Sequence, residues 1–514
     1  MSCTTILIGK DASYDGSTIV ARNDDSGSGR YDPKRFVAVG PEDQPRHYVS
    51  ELSHMVKDLP DDPCRYAIVP NALPGRGILA EAGASVRNVA MSATETIAVN
   101  ERVLAADPMV ALVPAVGEPG EPGYQAEQPG GIGEEDFITL VLPYVHNARE
   151  GVARLGALLE RYGTYEANGI AISDVDEIWY VETIGGHHWI ARRVPDDCYA
   201  AIPNQLGLDD FDLEDALGEQ REFMCSADMR EFIESNHLDV SMDADPHHLN
   251  PRRLFGTRSD RDHIYNTPRA WYMQRYLNPS DDWDSPSARY TPTSDDIPWC
   301  RRPESKVSIE DVDFLMSSHF EGTPYDPYGT RGTEETRRRY RPIGINRNGQ
   351  LVALQIRPYV SEANRSVMWI SYGSNPFTSL APFYANVTQT PAYLNNTTAE
   401  VTTDSFYWTN RIIAALADPH YGANRNHIEH YRENVLTYGH RLVARTDAAV
   451  DSAEADAEVN DEARSDEPRE VFGDLELANQ SMADYLKAQT SDLLDKVLYT
   501  SSNLMRNAFA MSDK

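Results

Sequence analysis

Residues 169–204 restrict the fold more than any other stretch. Gly169-Ile-Ala-Ile-Ser173, Ile178-Trp-Tyr-Val-Glu-Thr183 and His187 to Val194 are apolar runs of strand length. Asp174-Val-Asp-Glu177 and Gly185-Gly186 between them have turn chemistry, and Tyr199-Ala-Ala-Ile202 follows. The spacing predicts a β-meander over 169–204. Residues 351–357 and 367–373 predict a further hairpin, with Gln355, Arg357 and Trp369 interleaved among apolar residues. Residues 137–162 have helical character. Helical spacing returns at 404–417, about 425–447 and 471–510, carried by good helix formers. Strands and helices in this mixed order predict an α+β class with several layers.

The first residues predict two more strands, 4–8 and 17–22, joined through Gly-Lys-Asp-Ala-Ser-Tyr-Asp-Gly. A two-residue turn at Asp15-Gly16 would set Arg22 opposite Gly9. A longer loop over 10–16 would set Cys3 opposite Asn23 and bring Arg22 to Asp25 near Cys3. Both fit, and the longer loop is preferred for that reason. Residues 116–135 are rich in Gly, Pro and Glu and predict a long insertion or lid loop. Residues 448–470, rich in Ala, Asp and Glu, predict an exposed acidic linker or a solvated helical extension.

Charge and motif content exclude several function classes. Lys and Arg number 47 against 80 Asp and Glu, a formal charge of −33, which repels phosphate backbones and argues against nucleic-acid binding. No run of about 18 apolar residues is present, so no membrane span is expected. The N-terminus lacks the basic and apolar regions of a secretory signal. Five cysteines, odd in number and without C-x-x-C, point to a reducing, cytoplasmic location. The sequons at Asn364, Asn386, Asn395 and Asn396 then read as chance matches. Zinc spacing, a G-x-S-x-G elbow and a P-loop are all missing from the sequence. His187 and His188 are adjacent, so on a strand they face opposite ways. Gly75-Arg-Gly77 follows Pro74, which breaks any strand leading into a dinucleotide turn. No metal and no organic cofactor are expected.

Cys3 stands immediately before an apolar strand. On position alone a small buried hydrophobe is the commoner reading. If Met1 and Ser2 are removed, however, Cys3 carries both a thiol and a free α-amine. An α-amine has a pKa of about 7.7–8.0, so one residue supplies nucleophile and base. A nearby cation such as Arg22 would enrich the thiolate.

Cys3-Thr-Thr-Ile-Leu-Ile-Gly9, Tyr14-Asp-Gly-Ser17 and Ala21-Arg-Asn-Asp-Asp25 together resemble the N-terminus of the bacterial dipeptidase A family. These are N-terminal-nucleophile cysteine peptidases related to secernins, penicillin V acylase and bile salt hydrolase. The resemblance continues through Glu182-Thr-Ile-Gly-Gly-His-His-Trp189, Ile202-Pro-Asn-Gln205, Phe211-Asp-Leu213, Tyr265-Asn-Thr-Pro-Arg269, Arg341-Pro-Ile-Gly-Ile-Asn346, Gly373-Ser-Asn375 and Pro382-Phe-Tyr384. It implies a four-layer αββα sandwich over 3–447, with 448–470 as linker and 471–514 as a helical segment packing on the main domain. It implies dipeptide substrates of broad side-chain range and homo-oligomers. Cys3 would be the nucleophile, Arg22 its neighbour, Asp25 the group orienting the α-amine, Asn204 an oxyanion donor and Arg269 the later arginine of the site. Glu182 and His187 would contact substrate. The second oxyanion donor, expected near Ser92-Ala-Thr-Glu95, stays unassigned. Family members begin Met-Cys, and here Ser2 intervenes, so a further cut is required. Two alternatives accompany this reading. One is an amidase like penicillin V acylase or bile salt hydrolase. The other is a secernin-like regulatory protein without peptidase activity.

Overall fold

A computed structural model of the chain describes residues 3–27, 31–459 and 472–505. Its centre is two large antiparallel sheets. The first runs, in spatial order, Cys300–Arg301, Tyr199–Ile202, Thr4–Ile8, Thr18–Asp25, Asn348–Ile356, Ser366–Tyr372 and Ala381–Tyr384. The second runs Phe223–Cys225, His188–Arg193, Ile178–Ile184, Asn168–Ser173, Ala90–Thr96, Ala82–Ser85, Tyr66–Ile68 and Val37–Val39. The two meet face to face where Thr18–Asp25 packs on Ala90–Thr96 and Asn168–Ser173.

The apolar runs have a simple cause. Every residue of Thr4–Ile8, Thr18–Asp25 and Ile178–Ile184 is buried. A strand covered on both faces reads as a continuous apolar run rather than an alternating one. Helices supply the outer cover. Ala148–Tyr162 lies on the Asn168–Ser173, Ile178–Ile184 and His188–Arg193 strands. Its side-chain cap is Asn147, and it buries Val152, Leu155 and Leu159 at helical spacing. Each such aliphatic side chain contributes about 1.5–3 kcal/mol. Gly156 permits the close approach, since a Cβ there would stand 2.3 Å from the Trp189 ring. On the first sheet, Ile309–Ser317 packs on Thr4–Ile8 and Thr18–Asp25, and Thr267–Leu277 packs on Tyr199–Ile202. Tyr421–Val459 and Phe472–Asn503 pack on each other and on Ala381–Tyr384.

Several expectations shift. The Tyr199–Ile202 strand leaves the meander and crosses to the first sheet, beside Thr4–Ile8. The hairpin register differs by one residue from the preferred reading: Thr4, not Cys3, stands opposite Asn23, and Thr5 opposite Arg22. Its loop is set by contacts outside the hairpin. Gly9 is pressed against the Asp196 backbone, 2.4 Å from a would-be Cβ, and Ser13 bridges to Val307. The 137–162 stretch breaks between Phe137–Val141 and Ala148–Tyr162, at a short 3₁₀ turn containing Pro143. The 116–135 loop folds back on itself through a Val116–Gln125 bridge, and its end, Glu134 and Glu135, is buried. The Tyr421–Val459 helix runs through the first half of the expected 448–470 linker. Residues 460–470 of that linker lie outside the described residues. Among the described residues, no helix is long and apolar enough to cross a membrane.

Candidate active site

Strand register assembles the site. Thr5 stands opposite Arg22 on one side and Ile202 on the other. Side chains alternate faces along a strand, so Cys3 and Arg22 share a face. Continuing the second register by two residues carries Asn204 across from Cys3. Residues distant in sequence thus converge because both flanking strands pair with Thr4–Ile8.

Cys3 is fully buried. Arg22 Nη2 lies 2.9 Å from Cys3 Sγ and 2.8 Å from Glu134 Oε1. Arg22 Nη1 pairs with the Glu81 carboxylate. Lys34 Nζ sits 2.7 Å from Asp24 and 3.9 Å from Glu81. Buried charges of this kind persist only when paired and hydrogen-bonded. Burial alone would lower the Arg22 pKa, but Cys3, Glu81 and Glu134 outweigh it and hold the guanidinium well above its ordinary value. A permanent cation against the sulfur favours the thiolate.

Arg269 closes the other side. It projects from Thr267–Leu277 and is fully buried. Its Nη1 donates to the Cys3 carbonyl and, at 2.6 Å, to Thr4 Oγ1. Its Nη2 donates to Asn204 Oδ1 at 2.8 Å and Asn266 Oδ1 at 2.9 Å. One guanidinium therefore ties the backbone of Cys3 to Asn204. The Asn204 side-chain amide donates to the Thr96 carbonyl at 2.9 Å, and Asn266 Nδ2 donates to the Asn204 carbonyl at 3.0 Å.

The other residues named from sequence have partners of their own. Asp25 points to the opposite face from Arg22. Its carboxylate pairs with Arg341 and accepts from Asn348 Nδ2 at 3.0 Å. Arg341 also donates to Thr4 Oγ1 at 3.2 Å, which links Asp25 to the residue after Cys3. Burial raises the Asp25 pKa in spite of Arg341. Glu182 is fully buried and accepts from Gly207 N at 2.5 Å and Leu208 N at 3.4 Å, holding the loop that follows Asn204. Burial pushes its carboxyl up to about 8. His187 Nδ1 lies 2.9 Å from Asp107, in a part-exposed cluster with His188. Burial would raise Asp107, but hydrogen bonds from His188 and His187 bring it down to about 2.

A second pair of carboxylates adjoins Glu134. A parallel bridge joins Ile132 to Thr164, so Glu134 and Glu166, each two residues further on, come side by side. Glu134 N donates to Glu166 Oε1 at 3.1 Å. Burial and then the Glu134 charge raise Glu166 to about 7. Next to Asn204 a cavity of about 350 Å³ opens, walled by Thr96, Asn204, Tyr265, Asn266 and Arg261.

Sequence reasoning did not single out Glu81, Glu134, Glu166 or Lys34, and gave Arg341 no role. Acidic residues read as solvated until a fold buries them. The available signal was the glycine run ahead of Glu134. Gly133 lacks the Cβ that would stand 2.2 Å from the Tyr165 ring, and this closeness seats the two segments together.

The profile of peptidase family C69 matches residues 2–434. A dipeptidase of Bifidobacterium longum (strain NCC 2705) is 57% identical, the alignment covering 100% of both chains. A probable dipeptidase A of Streptococcus pyogenes serotype M18 is 48% identical over 100% of this chain and 98% of its own. Dipeptidase A of Lactobacillus helveticus is 40% identical over 99% of each.

Proposed function

The chain belongs to peptidase family C69, and from that premise we propose that it is a cysteine-type dipeptidase whose working N-terminus is Cys3, exposed by removal of Met1 and Ser2. The observation that carries the proposal is the buried contact of 2.9 Å between Arg22 and the Cys3 sulfur. The dipeptidase names of relatives up to 57% identical favour this reading over a penicillin V acylase-like or bile salt hydrolase-like amidase, and over a secernin-like regulator.

In the resting enzyme the Cys3 proton resides on its α-amine and the sulfur is thiolate, stabilised by Arg22. The thiolate attacks the scissile carbonyl carbon and the carbonyl oxygen becomes an oxyanion. Asn204 donates its side-chain amide to that oxyanion, a contribution of about 3–4 kcal/mol where such donors act. The C–N bond breaks as the α-ammonium protonates the leaving amine, and a thioester remains. The α-amine then takes a proton from water, hydroxide adds to the thioester, and the C–S bond breaks to release the acid and restore the thiolate. Arg269 fixes the Cys3 peptide and the Asn204 side chain in one geometry. Asp25 acts at one remove, since its partner Arg341 holds Thr4. The Glu134–Glu166 pair places negative charge where the substrate's ammonium would lie. This machinery sits in an αββα layering over 3–447, works in the cytoplasm on dipeptides of broad side-chain range, and functions in homo-oligomers.

The test is mass spectrometry of the purified protein together with a dipeptide hydrolysis assay. The active protein is expected to begin at Cys3, and Cys3→Ala to be inactive with an unchanged circular dichroism spectrum. Activity in Cys3→Ala, or in protein still bearing Met1 and Ser2, would refute the mechanism.

A further inference from the structure

The cavity beside Asn204 has a charge arrangement that the chemistry above does not use. Among the described lining residues two are charged, Arg261 and Asp262. Asp262 is already committed. Its Oδ2 accepts from Ser259 N at 2.8 Å, Ser259 Oγ at 2.8 Å and Thr257 Oγ1 at 3.0 Å, and its Oδ1 from Asn266 Nδ2 at 2.6 Å. Arg261 is different. It stands exposed at the mouth, its guanidinium 5.8 Å from the centre of the Tyr265 ring. It makes no ion pair among the described residues, in a chain where acids outnumber bases 80 to 47.

The cavity is also connected to the reacting centre. Its Asn204 wall is tied to the Cys3 backbone through Arg269. At about 350 Å³ it lies near the lower end of small-molecule sites, which run from about 300 to 1,000 Å³. That size suits one amino-acid residue rather than a continuing peptide.

We propose that Arg261 binds the α-carboxylate of the substrate's second residue, so that this cavity is the leaving-residue subsite and Arg261 the group that selects a free C-terminus. The proposal rests on the dipeptidase reading. A guanidinium fork matches a carboxylate through two parallel hydrogen bonds, whereas a continuing peptide offers one neutral carbonyl at the same place. A peptidase with this feature cuts a dipeptide and leaves longer chains alone without any lid.

The experiment compares kcat/KM for alanyl-alanine and its C-terminal amide, in the wild-type enzyme and in Arg261→Met and Arg261→Lys. Wild type is expected to prefer the acid by about 10- to 100-fold, the range of a charge-assisted hydrogen bond. In Arg261→Met the preference falls to within about threefold of parity, through KM for the acid, and Arg261→Lys restores part of it. Three results would overturn the subsite: equal wild-type use of acid and amide, an undiminished preference in Arg261→Met, or equal losses on both substrates. A wild-type enzyme that cleaves neither compound would overturn the dipeptidase reading and the subsite with it. One that cleaves dipeptides without discrimination would overturn the subsite alone.

Discussion

One nitrogen of Arg22 lies 2.9 Å from Cys3 Sγ and 2.8 Å from Glu134 Oε1. The same guanidinium therefore touches the Cys3 sulfur and a buried acid, while its other arm holds Glu81. A lysine ammonium is a point charge and cannot reproduce this three-way grip. Arg22→Lys is expected to raise the Cys3 thiol pKa by about one unit, so that the pH profile of alkylation moves up by about one unit. The check is the rate of Cys3 alkylation by iodoacetamide against pH. An unmoved profile would show that Arg22 does not tune the thiol.

In the proposed mechanism Asn204 donates to the oxyanion. Asn204→Ala is expected to lower kcat by about 10²–10³ with little change in KM, because the interaction develops only in the transition state. Steady-state kinetics on a dipeptide decides it. A loss confined to KM would place Asn204 in ground-state binding.

Glu182 gives a stability test with a definite sign. Burial holds its carboxyl up at about 8, whereas an unfolded glutamate ionises near 4.5. Between those values the folded state binds the extra proton, so stability falls as pH rises through the window. Glu182→Gln keeps an acceptor for Gly207 N and removes the titration. Wild-type urea midpoints should fall from pH 5 to 8 more steeply than those of the variant. Parallel curves would mean that Glu182 is ionised in the fold.

Gly133 lies where the Tyr165 ring would meet a Cβ at 2.2 Å. Gly133→Ala is expected to destabilise the protein by about 1–3 kcal/mol, the ordinary cost of overpacking, and to part Glu134 from Glu166. Thermal melting measures the first effect and dipeptide kcat/KM the second. A variant as stable and as active as wild type would show that the two segments are not closely seated.

Much of this architecture was legible in the sequence because strands buried on both faces are mostly apolar. Thr4–Ile8, Ile178–Ile184 and Asn348–Ile356 read correctly for that reason. What a local pattern cannot carry is the sheet a strand joins. Tyr199–Ile202 follows the meander in sequence yet pairs with Thr4–Ile8. The hairpin register slipped by one because Asp196 and Val307, far along the chain, shape its loop. Within the site, Cys3, Arg22, Asn204 and Arg269 were all named from sequence, and the structure joins them in one hydrogen-bonded set. Asp25 was also named from sequence, and in the structure its carboxylate pairs with Arg341, a partner that sequence did not suggest. Glu81 was invisible, and Glu134 was marked only by the glycine run before it, since no hydropathy pattern distinguishes an acid that will be buried against an arginine. Residues 448–459 read as an acidic linker or a solvated helical extension, and the preceding helix continues into them, since Ala and Glu are good helix formers.

The Thr4–Ile8 strand, which follows Cys3, is made before both of its neighbours but lies inside its sheet. Its outer neighbour, Tyr199–Ile202, follows about two hundred residues later, and the Arg269 that grips the Cys3 carbonyl lies 266 residues downstream. At translation speeds of about 5–20 residues per second, the cysteine waits on the order of tens of seconds for its surroundings. A nascent fragment that stops short of Arg269 lacks the group joining Cys3 to Asn204. Synthesis itself thus withholds that tie until more than half of the 514-residue polypeptide exists, and a product truncated before Arg269 lacks it.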